Sequence, residues 1–327
     1  MNILFFTSKE KDLIARVTKG LPDVKILTAD DDKELQARIG EADIMVTSNR
    51  VYVAEPAKII RDGGKRLKWI HFNTSGIDKA VKHGLPDGVP VTNSAGFHAN
   101  RIAQHGFSLL LAVARRHNEA AAARPRHEWV RDEMTPKMIS LEKGTMLVIG
   151  LGSIGQALAR KAKAFDMRVV GISRSTAAMD NVDEIRPRER LRESLREADV
   201  VAFAATYDES THHMVDAAGL AVMKPSAIIV NVARGPLIDE DAMIAALKAG
   251  KIYGAGLDVM TVEPLPAESP LWDLPNVVMT PHTAGGGGGD DKVEPIYKII
   301  AENYAHLKAG EPMIKHVHGP KSAKVPA

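Results

Sequence analysis

The chain has 327 residues, long enough for two domains with a core each, and its 43 basic and 41 acidic residues leave a formal charge of only +2. That balance excludes a broad basic field for nucleic acid or an anionic membrane, so a small anionic ligand has to be met by local cations. The absence of cysteine excludes disulfides, thiolate metal ligands and a cysteine nucleophile, and the opening "MNILFFTSKEKD" carries too short an apolar run for a signal peptide. With no later run long enough to span a bilayer, a cytoplasmic protein is expected.

Along the chain, short apolar runs alternate with longer amphipathic stretches, the pattern of parallel sheets covered by helices. In the first hundred residues the predicted strands are "NILFF", "VKIL", "DIMVT", "LKWIHF" and "VPVT", with "KEKDLIARVTKG" and "DKELQARI" as helices between them. The longest helical pattern follows, "RIAQHGFSLLLAVARRHNEAAAA", with Asn100 as the expected N-cap and the break "RPRHEW" as its end. A second alternating series then opens: "TMLVIG", "RVVGIS", "DVVAFA", "AIIVNVA", "GAGLDV" and "NVVMTP". The last helix, "KVEPIYKIIAENYAHLKAG", leads into a tail containing Pro and Lys that is expected to be poorly ordered.

The second series carries the chemistry. In "TMLVIGLGSIGQALARKAKAF" a predicted strand runs into a G-x-G-x-x-G turn and then an Ala-rich helix. Gly150 permits the tight turn, Gly152 lets backbone approach a pyrophosphate, and Gly155 allows close helix packing, with Ser153 and Ile154 at the helix start. About twenty residues on, a fold that prefers NAD places an acid against the adenosine ribose. Here "GISRS" places Ser173, Arg174 and Ser175 instead, which suits a 2'-phosphate and predicts NADP(H), with NAD(H) possible if Arg174 is a solvated loop residue.

Arg234 follows "AIIVNV", Asp258 and Glu263 follow the next strand, and His282 follows the last, so all four leave the carboxyl ends of strands, where open α/β sheets bind ligands. An arginine, an acid and a histidine beside a nicotinamide suit a defined reaction. Arg234 would bind a carboxylate and polarise the adjacent carbonyl, and His282 would exchange a proton with that oxygen. Glu263 would hydrogen-bond the imidazole and raise its pKa from about 6.5. His212 and His213, adjacent and expected to point apart, make no metal site, and none is expected elsewhere. His105 reads as a satisfied buried histidine, and Trp129 and Trp272 as packing or dimer-contact residues.

Through "GLGSIG", "NVARGPLIDEDAMIAALKAGKIYGAGLDVMTVEPLP" and "TPHTAGG", almost the whole chain, to about Gly310, resembles the D-isomer-specific 2-hydroxyacid dehydrogenase family. The resemblance implies an α/β protein of two doubly wound parallel-sheet domains. Residues 1–98 plus 284–327 would form a flavodoxin-like substrate domain, and 99–283 an inserted Rossmann cofactor domain, with the cleft between them. It implies that Asp258 and the backbone at Ala233 hold the nicotinamide amide, that Thr206 lines the adenosine side, and that Gly285 of "HTAGG" joins the cofactor contacts. The "NTSGIDKA" segment is similar to the family's substrate loop, in which Ser75 and Gly76 would grip a carboxylate. A homodimer is implied as well. Ser-Arg-Ser is similar to the NADPH-preferring glyoxylate and hydroxypyruvate reductases, so the expected substrate is a small 2-oxoacid or 2-hydroxyacid. An NAD-dependent member such as a phosphoglycerate dehydrogenase, and a corepressor-like nucleotide sensor on the same fold, stay open as alternatives. The run Gly285 to Gly289, longer than the motif requires, is read as extra hinge freedom or a surface loop.

Overall fold

The apolar runs of the first hundred residues form a sheet in the computed structural model, which describes residues 1–6, 10–286 and 290–322, and only the backbone at 290–292. Strands β1 (Asn2–Phe6), β2 (Lys25–Ala29), β3 (Ile44–Thr47), β4 (Trp69–Phe72) and β5 (Val91–Asn93) pair in parallel in the order β5-β4-β3-β1-β2. That order is the flavodoxin-like one. Helices α1 (Lys11–Gly20), α2 (Asp32–Arg38), α3 (Ala54–Gly63) and α4 (Asp78–His83) connect the strands. Side chains alternate across the sheet: Leu4, Phe6, Met45, Ile70 and Phe72 enter one core, and Ile3, Phe5, Ile44, Val46 and Trp69 the other.

The second series gives an all-parallel sheet. After α5 (Ala99–Ala114), α6 (His117–Ala123) and α7 (Arg131–Met134) come β6 (Thr145–Ile149), α8 (Ser153–Lys163), β7 (Arg168–Ile172), β8 (Glu184–Arg186), α9 (Leu191–Glu197) and β9 (Val200–Phe203). Then follow α10 (Ala217–Leu220), β10 (Ile228–Asn231), α11 (Glu240–Lys248), β11 (Gly254–Leu257) and β12 (Val277–Met279). The strand order β12-β11-β10-β9-β6-β7-β8 reverses direction between β6 and β9, as in a Rossmann sheet. The chain closes with α12 (Asp290–Ala309) and β13 (His316–His318), the latter antiparallel to β5 of the first sheet. By contact density the chain divides into one unit of Met1–Phe97 with Gly287–Ala327 and a second of His98–Gly286.

Three local expectations change. The long helix breaks after Ala114, because Arg116 takes a left-handed φ of 59° with its guanidinium 4.5 Å from the Tyr253 ring centre. Its N-cap is His98 rather than Asn100, whose side chain instead accepts from Arg160. Part of the tail is ordered: Asn93 N–H donates to Lys315 O at 3.1 Å, and His316 and His318 pair with β5. Gly287 to Gly289 of the glycine run lie outside the described residues.

Candidate active site

Strand β6 delivers its glycine turn at the point where the sheet order reverses. Gly150 has φ 95°, and a Cβ there would stand 2.6 Å from the backbone of Ala205, so only glycine fits. A Cβ on Gly155 would meet Gly150 O at 1.9 Å, which shows how closely α8 presses on the turn. Gly152 differs: it caps α8 without a side-chain hydrogen bond, and a Cβ placed on it would meet nothing within 4 Å. Ser153 opens the helix, and Ile154 packs onto the core. A helix start with open space above its cap glycine fits the pyrophosphate of a dinucleotide.

At the end of β7, Ser173 N–H donates to Arg186 O at 3.1 Å, and Ser175 Oγ accepts from Ala177 N–H at 3.4 Å. Arg174 between them is exposed and has no ion pair among the described residues. Three acids of β8 and α9 are engaged elsewhere. Buried Arg186 holds Glu184 at 2.6 Å and Glu197 at 2.9 Å, while Arg190 takes Glu193. Arg174 is therefore a cation available to an anion from solution. Thr206, in the loop after β9, is exposed, and its carbonyl accepts from Thr211 Oγ1 at 3.1 Å.

Beyond β10, β11 and β12 lie Arg234, Glu263 and His282. Asn231 shapes the first loop by accepting from Ala233 N–H at 3.0 Å and donating to Arg234 O at 2.9 Å. Buried Ala233 accepts from Arg234 Nη1 at 2.7 Å. A Cβ on Gly235 would fall 2.0 Å from Met260 C, so the arginine loop lies backbone to backbone against the segment leading to Glu263. Glu263 Oε1 accepts from Met260 N–H at 3.2 Å, and Oε2 lies 2.6 Å from His282 Nδ1. Burial pushes the Glu263 carboxyl upward, but the His282 hydrogen bond and charge, the Met260 N–H and the nearby Arg234 charge outweigh it and hold it below its usual 4.5. These three residues thus converge.

Asp258 is 1% exposed. Its Oδ1 accepts from Thr280 Oγ1 at 2.6 Å and Thr283 N–H at 2.8 Å, and its Oδ2 from Ala284 N–H at 2.9 Å. Gly285, next in the chain, is partly buried near the His98 ring. His105 and Thr280 were not singled out for this site by the sequence, yet His105 Nε2 lies 2.7 Å from Thr280 Oγ1 and 3.3 Å from Asp258 Oδ1. In the first unit, Ser75 O accepts from Asn93 Nδ2 at 2.5 Å and Gly76 O from Thr74 Oγ1 at 3.0 Å. Their carbonyls are tied back, while no acceptor for their N–H groups occurs among the described residues.

Other residues fall outside this arrangement. The His212 and His213 rings do not point apart but stack, with centres 3.8 Å apart, and His213 has a left-handed φ of 48°. Among the described residues no cluster of three or more His, Cys, Asp or Glu residues could hold a metal, and no helix is long and apolar enough to cross a membrane. Trp129 is 90% exposed.

Comparison with known proteins places this fold in a family. The family described as D-isomer specific 2-hydroxyacid dehydrogenase, NAD binding domain, matches residues 107–284. The chain is 35% identical over 288 residues to the glyoxylate reductase of Pyrococcus furiosus, covering 85% of this chain and 83% of that one. Its fold is similar to the solved D-isomer specific 2-hydroxyacid dehydrogenase family protein of Aeromonas salmonicida, with a TM-score of 0.85 at 29% identity over 97% and 98% of the two chains. It is also similar to a D-isomer specific 2-hydroxyacid dehydrogenase from Xanthobacter autotrophicus solved with NADPH and MES, with a TM-score of 0.81 at 26% identity over 97% and 98%. The chain belongs to the D-isomer specific 2-hydroxyacid dehydrogenase family. It is an NAD(P)-dependent oxidoreductase acting on the CH–OH group of 2-hydroxy acids.

Proposed function

We propose that the protein is an NADP(H)-preferring 2-oxoacid reductase, acting on a small acid such as glyoxylate or hydroxypyruvate, with His282 as proton donor. The carrying observation is the 2.6 Å contact of His282 Nδ1 with Glu263, a carboxylate that also feels the Arg234 charge. A carboxylate can only accept, so Nδ1 carries the hydrogen, and Nε2 is left to exchange a proton with the substrate oxygen. Arg234 takes the substrate carboxylate and polarises the neighbouring carbonyl. A nicotinamide dinucleotide, when bound, supplies the hydride to the keto carbon and accepts it in the reverse direction. The N–H groups of Ser75 and Gly76 are assigned to the same carboxylate. Residues 98–286 are assigned as the dinucleotide-binding domain and the remaining unit as the substrate-binding domain. The glyoxylate reductase of Pyrococcus furiosus supports the substrate class, and the NADPH-bound Xanthobacter relative supports the cofactor.

The preference for NADP(H) rests on Arg174, exposed between two serines with no carboxylate partner among the described residues. Arg174→Asp should repel a 2'-phosphate and accept a ribose hydroxyl. The NADPH-to-NADH ratio of kcat/KM is expected to fall by at least about tenfold, or about 1.4 kcal/mol. An unchanged ratio would contradict the assignment of Arg174.

A further inference from the structure

His282 has a left-handed backbone, φ 54°, unusual for a residue other than glycine. The cause is local. His282 N–H donates to Asp258 O at 2.8 Å, Thr283 N–H to Asp258 Oδ1 at 2.8 Å, and Ala284 N–H to Asp258 Oδ2 at 2.9 Å. Three successive amides thus fold around one buried aspartate, as in the nests that backbone forms around anions. The direction in which His282 leaves this nest depends on where the Asp258 carboxylate is held.

Thr280 and His105 hold it. Thr280 Oγ1 donates to Asp258 Oδ1 at 2.6 Å, so its lone pair receives the hydrogen of His105 Nε2 at 2.7 Å. The chain of donors runs from His105 through Thr280 to Asp258, and fixes Nε2 of His105 as the protonated ring nitrogen. Helix packing brings His105 there. Leu109 lies against Gly256 and Val113 against Gly254, where a Cβ would come within 2.8 Å and 2.7 Å of them, so the face 105–109–113 of α5 runs along residues 258–256–254 of β11 and its end. Four helical residues span about 6 Å and two strand residues about 6.6 Å, so the match persists over both steps.

We infer that His105 is a positioning residue for the reaction, acting through Thr280 and Asp258 to fix the backbone from which His282 works. The inference rests on the proposed role of His282. Removing the donor lets the carboxylate and the nest shift, and misplacing a catalytic group by about 1 Å costs up to about a hundredfold in rate.

The test uses His105→Leu, His105→Gln, Thr280→Val, the Leu/Val double variant and His282→Gln, assayed with NADPH and glyoxylate. Hydrogen exchange over residues 280–286 is followed in parallel. Leu and Val variants should each lower kcat at least about tenfold, with KM moving less than about threefold, and should speed exchange at residues 282–284. His105→Gln, which keeps an N–H donor, should recover most of both. The double variant should be no worse than the poorer single one, since both break one chain. Full kcat and wild-type exchange in His105→Leu and Thr280→Val, with His282→Gln inactive, would overturn the inference alone. An active His282→Gln would overturn the role of His282 itself. Should His105→Leu fail to fold, Thr280→Val and His105→Gln decide the matter, and additive losses in kcat would count against a chain. If the wild type does not turn over glyoxylate, the exchange data still decide whether His105 orders the nest.

Discussion

His71 and His105 both sit in hydroxyl-lined hydrogen-bond chains and differ in what lies at the far end. His71 on β4 is sealed in the sheet: Trp69 Nε1 donates to Thr92 Oγ1, leaving the Thr92 hydroxyl hydrogen for His71 Nδ1 at 2.8 Å, and Nε2 faces Ser94 Oγ at 3.1 Å. Burial pushes its pKa from 6.5 down to about 3. A base depressed on folding binds a proton in the unfolded chain before it does so in the native one, so stability falls as pH drops through the unfolded value. Between pH 7.5 and 5.5 this one group should remove about 1.4 kcal/mol of unfolding free energy. Urea unfolding of wild type and His71→Asn at both pH values checks it, and equal pH dependence in the two would contradict it. His105, by contrast, reaches a carboxylate and through it the His282 loop. Arg234, Glu263 and His282 were legible from sequence because each follows a strand signal within a few residues. The partnership of His105 with Thr280 spans 175 residues and arises only from packing.

At the scale of elements, strands were read from apolar runs and the turn from its glycines, because buried parallel strands and phosphate turns each demand a composition of their own. Strand β8 gives no apolar run: two of its three residues, Glu184 and Arg186, carry charges, and buried Arg186 is neutralised by Glu184 and Glu197. The break after Ala114 also gives no signal, since "ARRHNEAAAA" is mostly Ala, Arg and Glu, good helix formers, and the left-handed Arg116 answers to Tyr253, far away in sequence. Glycines separate the roles of fold and site. In Gly256→Ala the new Cβ would stand 2.8 Å from Leu109 Cβ, forcing α5 off β11. That is expected to cost about 1–3 kcal/mol and to lower the melting temperature. Gly152→Ala meets nothing within 4 Å and has φ −69°, so it should melt like wild type while binding the dinucleotide less tightly. Calorimetry and cofactor titration of the pair test this, and a destabilised Gly152→Ala or an unaffected Gly256→Ala would contradict it.

For the whole molecule, the chain leaves its first unit at Phe97 and returns to it at Gly287, which makes the all-parallel sheet an insertion within the flavodoxin-like one. Each sheet presents the carboxyl ends of its parallel strands as the edge where α/β proteins bind ligands, with the glycine turn, Arg174, Arg234 and His282 on one and the Ser75–Gly76 loop on the other. With a formal charge of +2 spread over 327 residues, there is no general field for anions, and the proposed function gives their recognition to those few groups. The most direct test is the oxidation of NADPH and of NADH by the purified protein, followed at about 340 nm with glyoxylate, hydroxypyruvate, pyruvate and phenylpyruvate. Turnover of a small 2-oxoacid, faster with NADPH than with NADH at limiting cofactor, is the predicted result. Tight cofactor binding with no turnover of any of the four acids, or turnover with NADH alone, would contradict the account.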